Sequence, residues 1–202
     1  MADVSLPEGA RGLIVFAHGS GSSRKSPRNR RVADFLQQGR LGTVLLDLLT
    51  PSEGDDDELT ASFRFDIPLL VERLTAVTDW LRESSGFGVV DIGYFGASTG
   101  AAAALGAAAA RPGEVRAVVS RGGRPDLAGA ALERVMTPTL FVVGARDPEV
   151  LDLNRMAIHK LPRQTEYRLE IITGASHLFE EPGTLDQVAA LAREWFTSHL
   201  RG

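Results

Sequence analysis

A serine set between glycines, Gly96-Ala97-Ser98-Thr99-Gly100, is where the chain could do covalent chemistry. The spacing is that of G-x-S-x-G, in which a sharp strand-to-helix turn holds a serine hydroxyl clear of the backbone. A hydroxyl is a poor nucleophile until a base removes its proton, so a histidine must reach it. Of the four histidines, His159 falls near the end of a predicted helix, His199 lies near the C-terminus, and His18 precedes the serine. His177 stands in a loop after an apolar run, in Thr173-Gly174-Ala175-Ser176-His177. An imidazole acting as base needs an acid to fix its tautomer and stabilise the imidazolium. Asp147, in Gly144-Ala145-Arg146-Asp147-Pro148, completes the chain order Ser, Asp, His. Its competing role is the N-cap of a helix opening at Pro148, with Asp152 as the substitute acid.

Acyl transfer also needs donors for a developing oxyanion. The backbone N–H of Thr99, just after the serine, is one candidate. The second comes from the loop His18-Gly19-Ser20-Gly21-Ser22, with Ser20 preferred over Gly21. Glycines let such a loop turn its N–H groups inward, and His18 reads as a brace for it. Two basic clusters are suited to an anionic substrate group: Arg24, Lys25, Arg28, Arg30 and Arg31, and then Ser120-Arg121-Gly122-Gly123-Arg124. Arg121, Arg124 and Arg24 have the guanidinium fork that grips a carboxylate or phosphate. The competing roles are a solvated helix face and a turn with structural ion pairs.

These residues must be positioned by an alternation of apolar strands and helices. Strands are expected at 13–17, 43–48, 91–95, 115–119, 139–143 and 167–172. Helices are expected at about 27–38, 61–84, 99–111, 149–160 and 184–199, with a polar, acidic loop at 50–60. Continuous apolar strands alternating with helices predict an α/β protein with a six-stranded, mostly parallel sheet covered on both faces. Right-handed crossovers make it doubly wound. Ligands bind such sheets at the carboxyl ends of the strands, where the reactive residues above collect.

The length of 202 residues fits a single domain over 1–202. The absence of cysteine excludes disulfides, thiolate metal sites and a cysteine nucleophile. A net charge of −4 argues against a nucleic-acid binder. The N-terminal segment has acidic residues and no apolar core, so a secretory signal is not expected. The apolar run 101–110 is too short and too weakly hydrophobic to span a bilayer, which makes a cytoplasmic location the expectation. The histidines lack the spacing of a zinc site, and no dinucleotide or P-loop motif is present, so no cofactor is expected.

Six segments carry a family resemblance: FAHGSGSSRKSPRNR from Phe16, DLLTPSE from Asp47, RFDIPLL from Arg64, GYFGASTGAAAAL from Gly93, SRGGRPDLAG from Ser120 and GASHLFEEPG from Gly174. The chain resembles the dienelactone-hydrolase-like branch of the α/β-hydrolases. In particular it is similar to small bacterial proteins that also occur fused to a phosphoribosyltransferase domain. The resemblance implies an α/β-hydrolase fold without a cap domain, hydrolase activity on esters, and no required cofactor. It places the triad at Ser98, Asp147 and His177. Dienelactone hydrolases themselves use a cysteine nucleophile, where this chain has serine. The expected function is hydrolysis of small or medium carboxylic esters through an acyl-enzyme. The alternative is a hydrolase-like binding or accessory module for an anionic or phosphorylated ligand. Oligomeric state is not legible in the sequence.

Overall fold

The computed structural model describes residues 1–84 and 91–201. Within its sheet lies the run Leu13–Ala17 (LIVFA), buried at every position. A strand with both faces buried has to be flanked by strands and covered on both sides, and the rest of the chain does this. The strands are β1 (Ala2–Ser5), β2 (Leu13–Ala17), β3 (Gly42–Leu46), β4 (Ile92–Ala97), β5 (Val115–Arg121), β6 (Thr139–Gly144) and β7 (Tyr167–Ile172). They form one sheet in the order β1-β3-β2-β4-β5-β6-β7. All neighbours are parallel except β1, which runs antiparallel to β3.

The side-chain alternation of β2 divides the core in two. Leu13, Val15 and Ala17 pack with residues of α3 (Ile67–Glu83), α4 (Thr99–Ala110) and α5 (Pro148–Ile158). Ile14 and Phe16 pack with residues of α1 (Pro27–Gln38) and α6 (Thr184–His199). The alanine-rich sequence of α4 suits its place, since small side chains let a helix lie close over the strands.

Three expectations change. Among the described residues the sheet has seven strands where six were expected. The extra one, β1, is short and mostly exposed, so no buried pattern marks it; its pairing with β3 and the ion pairs of Asp3 with Arg24 and Arg30 hold it. Residues 50–60 are not a loop but carry the helix α2 (Pro51–Thr60). This helix has no apolar stripe, and Leu59 is 87% exposed. Its start is made by polar bonds, with Thr50 and Glu53 forming a reciprocal capping box and Pro51 in the first turn. The long helix expected over 61–84 therefore begins later, at Ile67, where Asp66 caps it by accepting the N–H of Leu69 at 3.1 Å. Between α2 and α3 the chain is folded around Asp57, whose carboxylate accepts the N–H groups of Phe63 and Arg64 and pairs with the Arg64 guanidinium at 2.7 Å. Among the described residues no helix is long and apolar enough to cross a membrane.

Candidate active site

Ser98 occupies the turn from β4 into α4 with φ 50° and ψ −121°. This left-handed conformation costs a non-glycine residue about 1–3 kcal/mol and persists only where the surroundings enforce it. Here the Ser98 N–H donates to Arg121 O at 3.3 Å, and its carbonyl accepts from Ala101 N at 3.1 Å and Arg124 N at 3.0 Å. The flanking glycines have steric reasons. A Cβ at Gly96 would stand 2.5 Å from Ala101 Cα, and one at Gly100 would overlap the Ala17 carbonyl oxygen. Gly100→Ala is accordingly expected to push α4 off the end of β2. Overpacking of this kind costs about 1–3 kcal/mol, and at this chain size each kcal/mol lowers Tm by about 2–4 °C. A thermal melt of the variant that matched the wild type would refute this account of the elbow.

His177 and Asp147 meet. His177 Nδ1 lies 2.6 Å from Asp147 Oδ2, with the two side chains 37% and 15% exposed. Asp147 holds the N-cap position of α5, yet its side chain makes no capping bond. The carboxylate goes to the imidazole instead. The acid loop is stitched to the histidine loop by backbone bonds, Ala145 N–H to Ile172 O and Arg146 N–H to Ala175 O, both 2.9 Å. Asp152, the substitute acid, is exposed and paired with Arg155 at 3.1 Å. His199 is engaged with Glu166 at 3.3 Å, and His159 ends α5.

The histidine loop also approaches the serine's rim. Gly122, next after the residue that accepts the Ser98 N–H, is so close that a Cβ there would stand 3.0 Å from His177 O. Among the described residues the imidazole's hydrogen bond runs to Asp147, and none joins Ser98 Oγ to Nε2. Contacts of this kind often tighten only when substrate binds. One supporting residue carried no sequence signal. Glu181 accepts the Ser176 N–H on both carboxylate oxygens at 3.1 Å and so holds the turn just before His177. Only the folded loop, in which Phe179 takes φ 56° and is buried, brings this acid back to that amide.

The loop after β2 lies against the elbow. A Cβ at Gly19 would stand 3.0 Å from Ser98 Cβ, so only a bare residue allows the approach. Ser22 N–H donates to Gly19 O at 3.2 Å, closing a turn in which Gly21 has φ 66°. Among the described residues neither Ser20 nor Gly21 donates its N–H to a carbonyl. The Thr99 N–H belongs to the first turn of α4, which has no acceptor of its own in the helix. Ser20, Gly21 and Thr99 line a common cleft of about 640 Å³ that extends to α2. Ser98 and His177 are not in its lining, so the cleft opens beside these two residues rather than over them.

His18 braces this loop by a specific tautomer. Its Nε2 accepts the Leu48 N–H at 3.0 Å, which leaves Nδ1 to donate to Gly19 O at 2.9 Å. Burial holds its pKa below 6.5, against the opposing pull of Gly19 O and Asp47. A depressed folded-state pKa means the unfolded chain takes up the proton first. Stability from neutral His18 is therefore present above pH 6.5 and drains away as pH falls through the lower, folded-state value. Wild-type Tm should decline between pH 7 and pH 5 more steeply than that of His18→Asn; parallel curves would remove His18 as the cause.

The basic clusters separate into paired and unpaired residues. Arg24 is committed to Asp47 and to Asp3, the latter at 3.2 Å, although it lines the cleft. Arg31 forks onto Asp186 and Arg124 onto Asp126. Arg121 is 7% exposed, and among the described residues its Nε and Nη1 have no hydrogen-bond partner.

Comparison with known proteins agrees with this architecture. A family model described as the dienelactone hydrolase family matches residues 55–199. A crystal structure of a dienelactone hydrolase from Anabaena variabilis is 56% identical, covering 99% of this chain and 92% of that one, with a TM-score of 0.96. Est1E from Butyrivibrio proteoclasticus superposes with a TM-score of 0.79 over 100% of this chain and 94% of that one; at 15% identity it speaks for the fold alone. A Mycobacterium tuberculosis protein named as a phosphoribosyl transferase is 54% identical over 199 residues, 98% of this chain. The chain spans only 44% of that relative's length. With the α/β-hydrolase sheet, the strained serine elbow and the matched family model together, the chain belongs to the dienelactone hydrolase family.

Proposed function

We propose that this chain is a serine hydrolase that cleaves small or medium carboxylic esters through a covalent acyl-enzyme. The observation that carries the reading is the 2.6 Å contact of Asp147 with His177 Nδ1, made by a carboxylate that forgoes capping its own helix. With Nδ1–H held by Asp147, Nε2 is the free basic atom. In the proposed reaction Ser98 Oγ attacks the ester carbonyl carbon while Nε2 takes its proton. The carbonyl oxygen becomes an oxyanion facing the N–H groups of Thr99 and Ser20, with Gly21 as the neighbouring donor. Collapse expels the alcohol, which leaves with the proton from the imidazolium. Water then attacks the acyl-Ser98 ester, giving its proton to Nε2, and the acid departs as Ser98 recovers its hydrogen.

Serine in place of the family's cysteine makes the nucleophile dependent on this general base, because an alcohol is ionised far less readily than a thiol. The test is to expose the protein to a fluorophosphonate and an activated acyl ester, locating the label by peptide mass. Modification of Ser98 together with ester turnover is the expected result. An unlabelled serine under conditions that modify a reference esterase would overturn it and favour the binding-module reading.

A further inference from the structure

The strand order ends on β7, so one side of this strand is an open edge of the sheet. Its ladder with β6 runs without a register shift from Thr139–Tyr167 to Gly144–Ile172. Two bonds at its ends fix the direction of its backbone groups: Thr139 N–H donates to Glu166 O at 3.0 Å and Ala145 N–H to Ile172 O at 2.9 Å. Successive residues of a strand turn these groups to alternate sides, so Arg168, Glu170 and Ile172 face β6. Tyr167, Leu169 and Ile171 therefore turn N–H and C=O outward. Among the described residues no other segment pairs with them there.

Such an edge is a template for a further strand, and proteins ordinarily blunt it with proline, a bulge, unpaired charge or a covering segment. β7 contains no proline and no bulge. Its two charges, Arg168 and Glu170, answer each other at 2.6 Å, and Arg168 also reaches Glu194 of α6 at 2.9 Å. On the opposite face Leu169 packs against the core, while Tyr167 and Ile171 to either side of it are 51% and 41% exposed.

The spacing of these residues selects the partner. Consider an antiparallel second copy of β7 related by a two-fold axis at Leu169. Leu169 then faces Leu169, Tyr167 faces Ile171, and Arg168 faces Glu170. Every outward-facing residue meets another, so their backbone groups satisfy one another. Aromatic with β-branched and cation with anion are both favourable cross-strand pairs, and the four charges alternate in sign around the axis. Moving the axis one residue either way sets Arg168 against Arg168 or Glu170 against Glu170, and directly opposed like charges destabilise. The strand is its own complement in one register, as an isologous contact requires.

We propose that β7 is a dimer interface, pairing antiparallel with β7 of a second copy about Leu169 and continuing the sheet across both chains. This goes beyond the hydrolase reading and does not depend on it. The paired strands run in opposite directions, so the carboxyl rims of the two sheets lie at opposite ends of the dimer. The cleft beside β2 and α2 stands towards the other edge of the sheet and stays open.

Sedimentation velocity on the full chain tests this, beside Glu170→Arg, Arg168→Glu and the exchanged double variant Arg168→Glu/Glu170→Arg. A contact of strand width belongs to the weak class of interfaces, so the concentration series runs to about 100 µM. The wild type is expected to show a monomer–dimer equilibrium. Each single reversal opposes like charges at both symmetric positions and should raise the dimer Kd about 10- to 100-fold. The double variant restores the alternation with signs exchanged and should return Kd to near the wild-type value. A wild type monomeric throughout would overturn the proposal, even if a strand of another protein binds the edge. So would single reversals that dimerise like the wild type, or a double variant no better than they are.

Cysteine placement decides the register independently, should a charge variant fail to fold. The chain has no cysteine of its own. Leu169→Cys sets one thiol from each copy at the axis, with Cα atoms about 5.5 Å apart and within disulfide reach. Tyr167→Cys sets the two thiols several residues apart along the paired strands. Diamide oxidation should link the first variant into dimers on a non-reducing gel and leave the second unlinked. Equal linkage of both, or of neither, would overturn the register and the proposal with it.

Discussion

Ser98→Ala is expected to lower ester turnover by about 10⁴- to 10⁶-fold and to abolish fluorophosphonate labelling. Alanine keeps the Cβ and, apart from one oxygen, the shape of the elbow, so the φ of 50° and the bonds to Arg121, Ala101 and Arg124 have no reason to change. Relieving a non-glycine left-handed strain is not on offer either, since alanine bears the same penalty. Thermal unfolding close to that of the wild type should therefore accompany the loss of activity. His177→Ala is expected to cost about as much, and the double variant little more, because the two residues act as one unit. Additive losses in the double variant would count against a shared proton transfer. Residual turnover near the wild-type rate in Ser98→Ala would remove the serine from the mechanism.

Asp147→Asn is expected to reduce kcat about 10⁴-fold with the fold intact. Asparagine can present its amide N–H to His177 Nδ1, which moves the ring proton to Nε2 and leaves no base facing the serine. The two possible roles of Asp147 separate cleanly here. A helix cap would show itself as lost stability, about 1 kcal/mol for a missing N-cap bond, with catalysis little altered. The structure has no such bond to lose, since the Asp147 side chain does not cap α5. A drop in kcat at unchanged Tm is the outcome that fits the 2.6 Å contact with His177. A fall in Tm with near-normal kcat would return Asp147 to a structural role.

The elements that position these groups were legible wherever one physical signal dominated. β2, β4 and β6 are short runs with every residue buried, and a short, mostly apolar run announces such a strand. α1, α4 and α6 start and stop close to their expected positions. Where the signal was of another kind, expectation and structure parted. α2 is built by a capping box and the Asp57–Arg64 fold-back rather than by an apolar stripe, so hydrophobic spacing gave no reason to expect a helix. β1 is short and mostly exposed, and it pairs along the open edge of β3. β5 runs on to Arg121, beyond its last apolar residue, because β4 and β6 pair with it there.

The sequence by itself determined the alternation of strands and helices, the glycines of the elbow, and the chain order Ser98, Asp147, His177. These are local properties: residue type, spacing and the side-chain volume a turn will admit. The tertiary structure alone decided which partners meet. It sent the Asp147 carboxylate to His177 rather than to its own helix, brought Glu181 back to the Ser176 N–H, paired Arg24 with Asp47, and buried the Arg121 guanidinium with Nε and Nη1 unpartnered among the described residues. Every arginine reads alike in a sequence. Whether its charge is answered depends on distances of a few ångströms between segments far apart in the chain, and these exist only once the sheet has set the loops at its carboxyl rim.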